Sequence, residues 1–204
     1  MKPLTSADLT SIEDYERERE AFRARIIKLK ARRRVSVGPL ITLVFENRET
    51  LRFQVQEMIR VERIVEPAKV QDELNVYNAL LPLKDELSAT LLIEITEEAK
   101  MKESLDRFWG LDRGRTVAIQ AAGEEAVAVF ERGQSHETKI SAVHFVRFRP
   151  TIRMRDAFAD LRQPVYLVVE HRDYRARVPV PGSMRDEWLS DLQENADSGV
   201  PADE

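Results

Sequence analysis

The sequence predicts an α+β fold: a single domain with a largely antiparallel, partly mixed sheet of about six to seven strands packed with helices. Helical and strand periodicities are interspersed along the chain, so both element types must contribute to one core. Several apolar runs are joined by turns too short to hold a crossover helix, which favours antiparallel over doubly wound pairing. A chain of 204 residues buries about 70% of its unfolded surface, enough for a core without staples.

The elements follow in order. Thr5 with Asp8, then Ser11 with Asp14, place an acid three residues after a hydroxyl, the mark of two helix starts. Tyr15, Phe22, Ile26 and Leu29 then recur with helical spacing in a long N-terminal helix. Acids crowd its start and bases its end, the order the helix dipole favours. In "RVSVGPLITLVFEN", Val35 and Val37 alternate, Gly38-Pro39 breaks the run, and Ile41 to Phe45 is nearly all apolar, as in a strand covered on both faces. Asn47 caps a second helix. Pro67 opens a third, with Val70, Leu74, Tyr77 and Leu81 on one face.

"LSATLLIEI" reads as a strand. Thr96 caps a helix carrying Met101, Leu105 and Phe108, and Gly110 stops it. "RTVAIQAAGEEAVAVFERG" is two strands around a turn at Gly123, and "GQSHETK" is a loop. "ISAVHFVRFRP" is a strand ended by Pro150, followed by a short helix in "TIRMRDAFADL". "PVYLVVEHRDYRARVPVP" is a hairpin turning at Arg172-Asp173. Ser183 with Asp186 opens a C-terminal helix through Trp188 and Leu192. The domain is expected over 1–194. The acidic segment 195–204 is poor in apolar groups and reads as a disordered tail.

Composition excludes several chemistries. There is no cysteine, hence no disulfide, thiol nucleophile or cysteine-ligated metal. No apolar run approaches the ~18 residues of a membrane span, and the N-terminus lacks the apolar stretch of a signal peptide. Charged residues make up 33% of the chain, yet the net charge is only −4. Mixed signs of this kind fit a cytoplasmic protein with a solvated surface and argue against nucleic-acid binding. Neither a glycine-rich phosphate loop nor a G-x-S-x-G elbow occurs.

Three groups of residues are candidates for a site. The first is the helix in "FENRETLRFQVQEMIRVERI", where charged and amide groups interrupt apolar faces. Leu51, Val55, Met58 and Ile59 share one face, with Arg48 and Glu62 projecting onto it and Gln54 at its margin. Glu57 lies opposite, with Phe53 and Ile64. Such a helix is sandwiched, and its buried charges need partners. Arg48 calls for a carboxylate from the first helix and Glu62 for an arginine. A structural ion-pair network is the ordinary reading. A pocket for an anionic or polar ligand lined by Arg48, Gln54 and Glu57 is the sharper one.

The second group is His144, on an apolar strand face, and His171, at a strand end. With Glu57 they would form a two-histidine, one-carboxylate set for a divalent metal, although no H-x-H, H-E-x-x-H or E-x-x-H spacing supports it. The third is Arg147 and Arg149 on one strand with Arg175 and Arg177 on another. If these strands paired, four guanidiniums would converge on an anion or an acidic partner. Cross-strand pairing with glutamates is the plainer alternative.

"MKPLTSADL", "EDYERERE", "RRRVSVGPLITLVFENRETLRFQVQEM", "SAVHFVRF" and "DYRARV" resemble an uncharacterised bacterial family built on a domain of unknown function. The similarity runs over residues 1 to 180 and is most specific from Arg32 to Met58. The resemblance implies a genomic setting beside rubrerythrin-like and iron–sulfur oxidoreductase genes, and so a link to oxidative stress or iron redox chemistry. It carries over no catalytic residue, and the E-x-x-H motif of di-iron proteins is missing here.

Taken with the residues, this leads to an accessory or binding protein with a protein partner, rubrerythrin-like or an iron–sulfur oxidoreductase, and with no cofactor; a homo-oligomer is compatible with it. A small metal-dependent enzyme or metal sensor using His144, His171 and a carboxylate is one alternative. A binder of a small anionic metabolite through Arg48, Arg147 and Arg175 is the other.

Overall fold

A computed structural model describes residues 1–95, 101–131, 140–172 and 174–197. Its helices are α1 (Ile12–Arg33), α2 (Arg48–Glu62), α3 (Pro67–Asn78), α4 (Met101–Asp106), α5 (Ile152–Ala159) and α6 (Gly182–Asp197), preceded by a short 3-10 turn at Ser6–Asp8. The strands are β1 (Arg34–Val37), β2 (Ile41–Glu46), β3 (Leu87–Ile93), β4 (Val117–Ala121), β5 (Glu124–Val127), β6 (Val129–Phe130), β7 (Val143–Phe148), β8 (Val165–His171) and β9 (Tyr174–Pro179).

The α+β class holds, and among the described residues every strand pairing is antiparallel. The described strands divide between two sheets, ordered β1-β2-β3-β7-β6 and β5-β4-β8-β9. Local periodicity identifies strands but not their partners. The pairing of Leu91 with His144 spans a long stretch of chain, and no turn dictates it.

Alternation divides each strand between two environments. Leu43 and Phe45 of β2, Leu87, Ala89 and Leu91 of β3, and Val146 and Phe148 of β7 join Val117, Ile119, Leu167 and Val169 of the second sheet in one core. Helix α6 adds Trp188, whose ring lies 4.6 Å from Phe45 and 5.2 Å from Phe158. On the other face of the first sheet, Leu51, Val55 and Ile59 of α2 and Leu74 of α3 form a second core, into which Met1, Leu4 and Phe145 pack. Strand β2 is therefore buried along its whole length, as its continuous apolar run predicts.

The caps explain where helices begin. Ser11 Oγ accepts from Asp14 N–H, and Asn47 accepts from Thr50 N–H, as expected from the spacing. Helix α6 differs: it begins at Gly182, with the Pro181 carbonyl accepting from Met184 and Arg185. Ser183 thus lies inside the first turn. The helix also runs to Asp197 with Asn195 buried, past the boundary expected at 194. The rest of the acidic tail, the Thr96 cap, the "GQSHETK" loop and Asp173 of the last hairpin's turn lie outside the described residues.

The β1–β2 turn requires glycine. Gly38 has φ +76°, and a Cβ there would sit 2.5 Å from Tyr174 Oη. That hydroxyl donates to the Val37 carbonyl at 2.5 Å and accepts from Leu40 N–H at 3.2 Å. One phenol thus fastens the hairpin of the first sheet to β9 of the second.

Candidate functional site

The polar helix α2 lies between α1 and α3, and most of its charges are paired. Glu57 receives a two-pronged contact from Arg19, at 2.8 and 3.0 Å, a hydrogen bond from Tyr15 Oη at 2.7 Å, and Arg60 at 3.3 Å. Arg19 beside it holds the Glu57 carboxyl down to about 2, because each donor favours the ionised form. Arg48 pairs with Asp8 at 2.6 Å and donates to the Lys2 carbonyl at 3.0 Å. Its guanidinium in turn holds Asp8 down to about 2. Phe53 meets the edge of Phe22, 5.5 Å away, on the face turned to α1. Glu62 differs from expectation: it is exposed at the helix end, with no ion pair among the described residues.

Gln54 serves a carboxylate the sequence does not flag. Glu46 is buried with no cation partner among the described residues, and accepts from Thr50 Oγ1 at 2.5 Å, Thr90 Oγ1 at 2.7 Å and Gln54 Nε2 at 3.1 Å. Three neutral donors, two from α2 and one from β3, satisfy it. Arg48, Gln54 and Glu57 therefore do not converge on an open space.

The arginine strands also separate. Strand β7 pairs with β3 and β6, while β9 pairs with β8, so four guanidiniums do not meet. Arg147 donates to the Leu81 carbonyl at 2.9 Å and to that of Ala79, and pairs with Glu131 at 2.6 Å and Glu86 at 3.3 Å. It closes the C-terminal end of α3, where carbonyls lack helical partners. Arg149 shares Glu86 at 2.8 Å. Arg175 is exposed on an edge strand opposite Glu170, and Arg177 stacks on Tyr166, 3.5 Å from the ring centre.

His144 and His171 both lie on the core side of their strands, but in different sheets. Glu57 belongs to the helical layer across the first sheet, so the structure does not bring the three together. Among the described residues no group of three or more His, Asp or Glu is placed to hold a metal. His144 Nε2 lies 2.9 Å from the Ser141 carbonyl, and burial lowers its pKa.

His171 differs. It is 8% exposed, and its Nε2 has no hydrogen-bond partner, a cost of about 1–3 kcal/mol for an enclosed polar atom. Burial first, then the charge of Arg172, pushes its pKa down. The ring lies along a depression of about 100 Å³ formed with Leu40, Arg107, Phe108, Arg172 and Tyr174. Phe108 stacks toward His171, 6.4 Å between centres, and meets the edge of Tyr174 at 5.1 Å. The sequence reads Phe108 only as an apolar position of a helix and does not single out Arg107, because the apolar spacing there looks purely structural; the helix in fact ends at Asp106. Their proximity to the distant β8–β9 turn is a tertiary fact.

A second open feature lies on the helical layer. Leu9, Ile12, Ile59, Ile64, Val65 and Val70 line a groove of about 320 Å³ between the start of α1 and the α2–α3 turn. Ile64 and Val65 continue into a neighbouring depression of about 380 Å³ bordered by Glu62, Glu66, Asp72 and Glu73, against Arg63 and Lys69. Lys69 is already paired with Glu66 at 3.2 Å. The result is an apolar floor with a net acidic margin.

The fold has a solved counterpart. A crystal structure from Burkholderia pseudomallei K96243, described as a novel protein of unknown function, superposes with a TM-score of 0.85 at 30% sequence identity, covering 94% of this chain and all of that one. No curated protein matches the chain. A family model described as "Protein of unknown function (DUF3501)" matches residues 3–192, and the chain belongs to that family.

Proposed function

We propose that this protein is a non-catalytic binding protein that docks on a protein partner through the groove at the α2–α3 turn. The observation that carries the reading is the apolar floor of Ile59, Ile64, Val65 and Val70 beside the acids Glu62, Glu66, Asp72 and Glu73. Val61 and Val65 are 64% and 77% exposed, which is apolar surface without a covering element. The occupant that complements this surface is a basic, amphipathic segment with an aliphatic or aromatic anchor. The finer reading, a partner among rubrerythrin-like or iron–sulfur oxidoreductases in the cytosol, is supported by the family resemblance alone.

The test is an affinity experiment at physiological salt with purified rubrerythrin-like and iron–sulfur proteins of the same cell. Wild-type protein is expected to bind one of them, and to bind less tightly as salt rises. Val65→Glu and Glu62→Lys, both at exposed positions, should abolish binding while leaving the unfolding midpoint unchanged. No binding by wild type, or equal binding by the variants, refutes the reading.

A further inference from the structure

We infer that the depression formed by Leu40, Arg107, Phe108, His171, Arg172 and Tyr174 is a binding site for a small oxyanion, of the size of inorganic phosphate or a short carboxylate. It lies apart from the docking groove, between the β1–β2 turn, the segment after α4 and the β8–β9 turn. None of the residues read from the sequence as anion ligands belongs to it.

Charge supplies the first argument. Arg107 and Arg172 both line the space, and among the described residues neither has an ion-pair partner. Most other arginines here do: Arg19, Arg33, Arg48, Arg60, Arg147 and Arg155 each meet a carboxylate. Two guanidinium forks beside one hollow offer planar sets of donors that match the oxygens of a phosphate or carboxylate. A cation would meet both positive groups. The one acid whose field reaches the histidine is Asp112, opposed by Arg172.

The walls supply the second. Leu40, Phe108 and Tyr174 are apolar or aromatic, and they weaken solvent screening of whatever the guanidiniums hold. Tyr174 is kept in place by its bonds to Val37 and Leu40, so this side of the site is preformed. His171 lines the same hollow, more than nine-tenths buried; its Nε2 makes no hydrogen bond, while the backbone at Arg107 and Trp109 lies beside the ring. An anion bound beside the ring favours its protonated form, which adds a donor.

Size supplies the third. The depression is small, about 100 Å³, and by comparison a single water needs only about 10–15 Å³ of such space. That suits an inorganic oxyanion or short carboxylate.

The chain has three histidines, so the ring of His171 can be followed by NMR in the full-length protein. Titrating inorganic phosphate at constant ionic strength is expected to move the His171 ring signals saturably while leaving His144 unmoved. Arg107→Gln and Arg172→Gln should each raise the half-saturation concentration by about tenfold or more. Both side chains are exposed, so unchanged thermal unfolding shows that the variants keep the fold. The inference is overturned if phosphate, sulfate and acetate all fail to give a saturable shift, or if the double variant responds like wild type. It is equally overturned if Zn²⁺ moves the ring at lower concentration than phosphate does.

Discussion

The seam between α1 and α2 and the hollow at the β8–β9 turn both hold arginines beside aromatic rings, yet they differ in what the charges meet. In the seam, Glu57 alone engages Arg19, Arg60 and Tyr15, and Asp8 closes on Arg48. At the turn, Arg107 and Arg172 face a space in which neither meets a carboxylate among the described residues, and the buried His171 Nε2 makes no hydrogen bond. The density of charge is greater in the seam, where Arg52 Nε lacks a hydrogen bond but its guanidinium still meets Glu49, whereas at the turn neither guanidinium meets a carboxylate among the described residues. Charged residues on a helix face are evidence of a site only where the fold leaves them unpaired.

That contrast can be broken by substitution, beginning with the most enclosed pair. Arg33 is 1% exposed and forms two bonds to Asp191, at 2.7 and 2.8 Å, and further contacts to Glu187. Arg33→Met leaves Asp191 buried without its cation, and chemical denaturation should show a loss of about 3–5 kcal/mol. A loss below 1 kcal/mol would mean that water reaches the pair and that closed networks here are worth no more than surface ones.

Glu57→Gln removes the centre of the α1–α2 network and is expected to cost about 2 kcal/mol at neutral pH. The folded-state pKa of Glu57 lies at about 2, below its ordinary 4.5. Its contribution is therefore present above pH 4.5 and is lost as pH falls toward 2. The stability difference between wild type and Glu57→Gln should shrink across that window. A difference independent of pH would show that packing, not ionisation, holds the seam.

Tyr174→Phe sharpens the other side of the contrast. It removes the donor to Val37 and the acceptor for Leu40, for an expected loss of about 1 kcal/mol. It should also loosen one wall of the hollow, so phosphate binding should weaken. Arg172→Gln stands last, with stability expected to stay within about 0.5 kcal/mol of wild type. Glutamine retains the Cβ, so the left-handed backbone at Arg172, φ 48°, is equally strained in both. A loss above 1 kcal/mol would place Arg172 among the structural arginines and erase the difference between the two regions.

Legibility in the sequence followed the range of the interaction. Asn47 and Ser11 could be read as caps because their partners lie three residues away. The sandwiched nature of α2 followed from its two apolar faces, and Arg48 does meet a carboxylate, though Asp8 lies in the 3-10 turn ahead of α1 and not in that helix. Glu62 misled because helical angle alone places it on the apolar face, whereas the helix ends there and the side chain reaches water. The strands carrying Arg147 and Arg175 each read correctly as strands, but their assignment to separate sheets depends on pairings between distant segments.

The sequence by itself determined the α+β class, most helix starts, the buried strand β2 and the absence of cysteine chemistry, because each depends on composition or on neighbours within a few residues. Tertiary structure alone decided which charges are paired and which remain open. A guanidinium is satisfied or left over according to what the chain brings beside it from far away, and no local spacing encodes that.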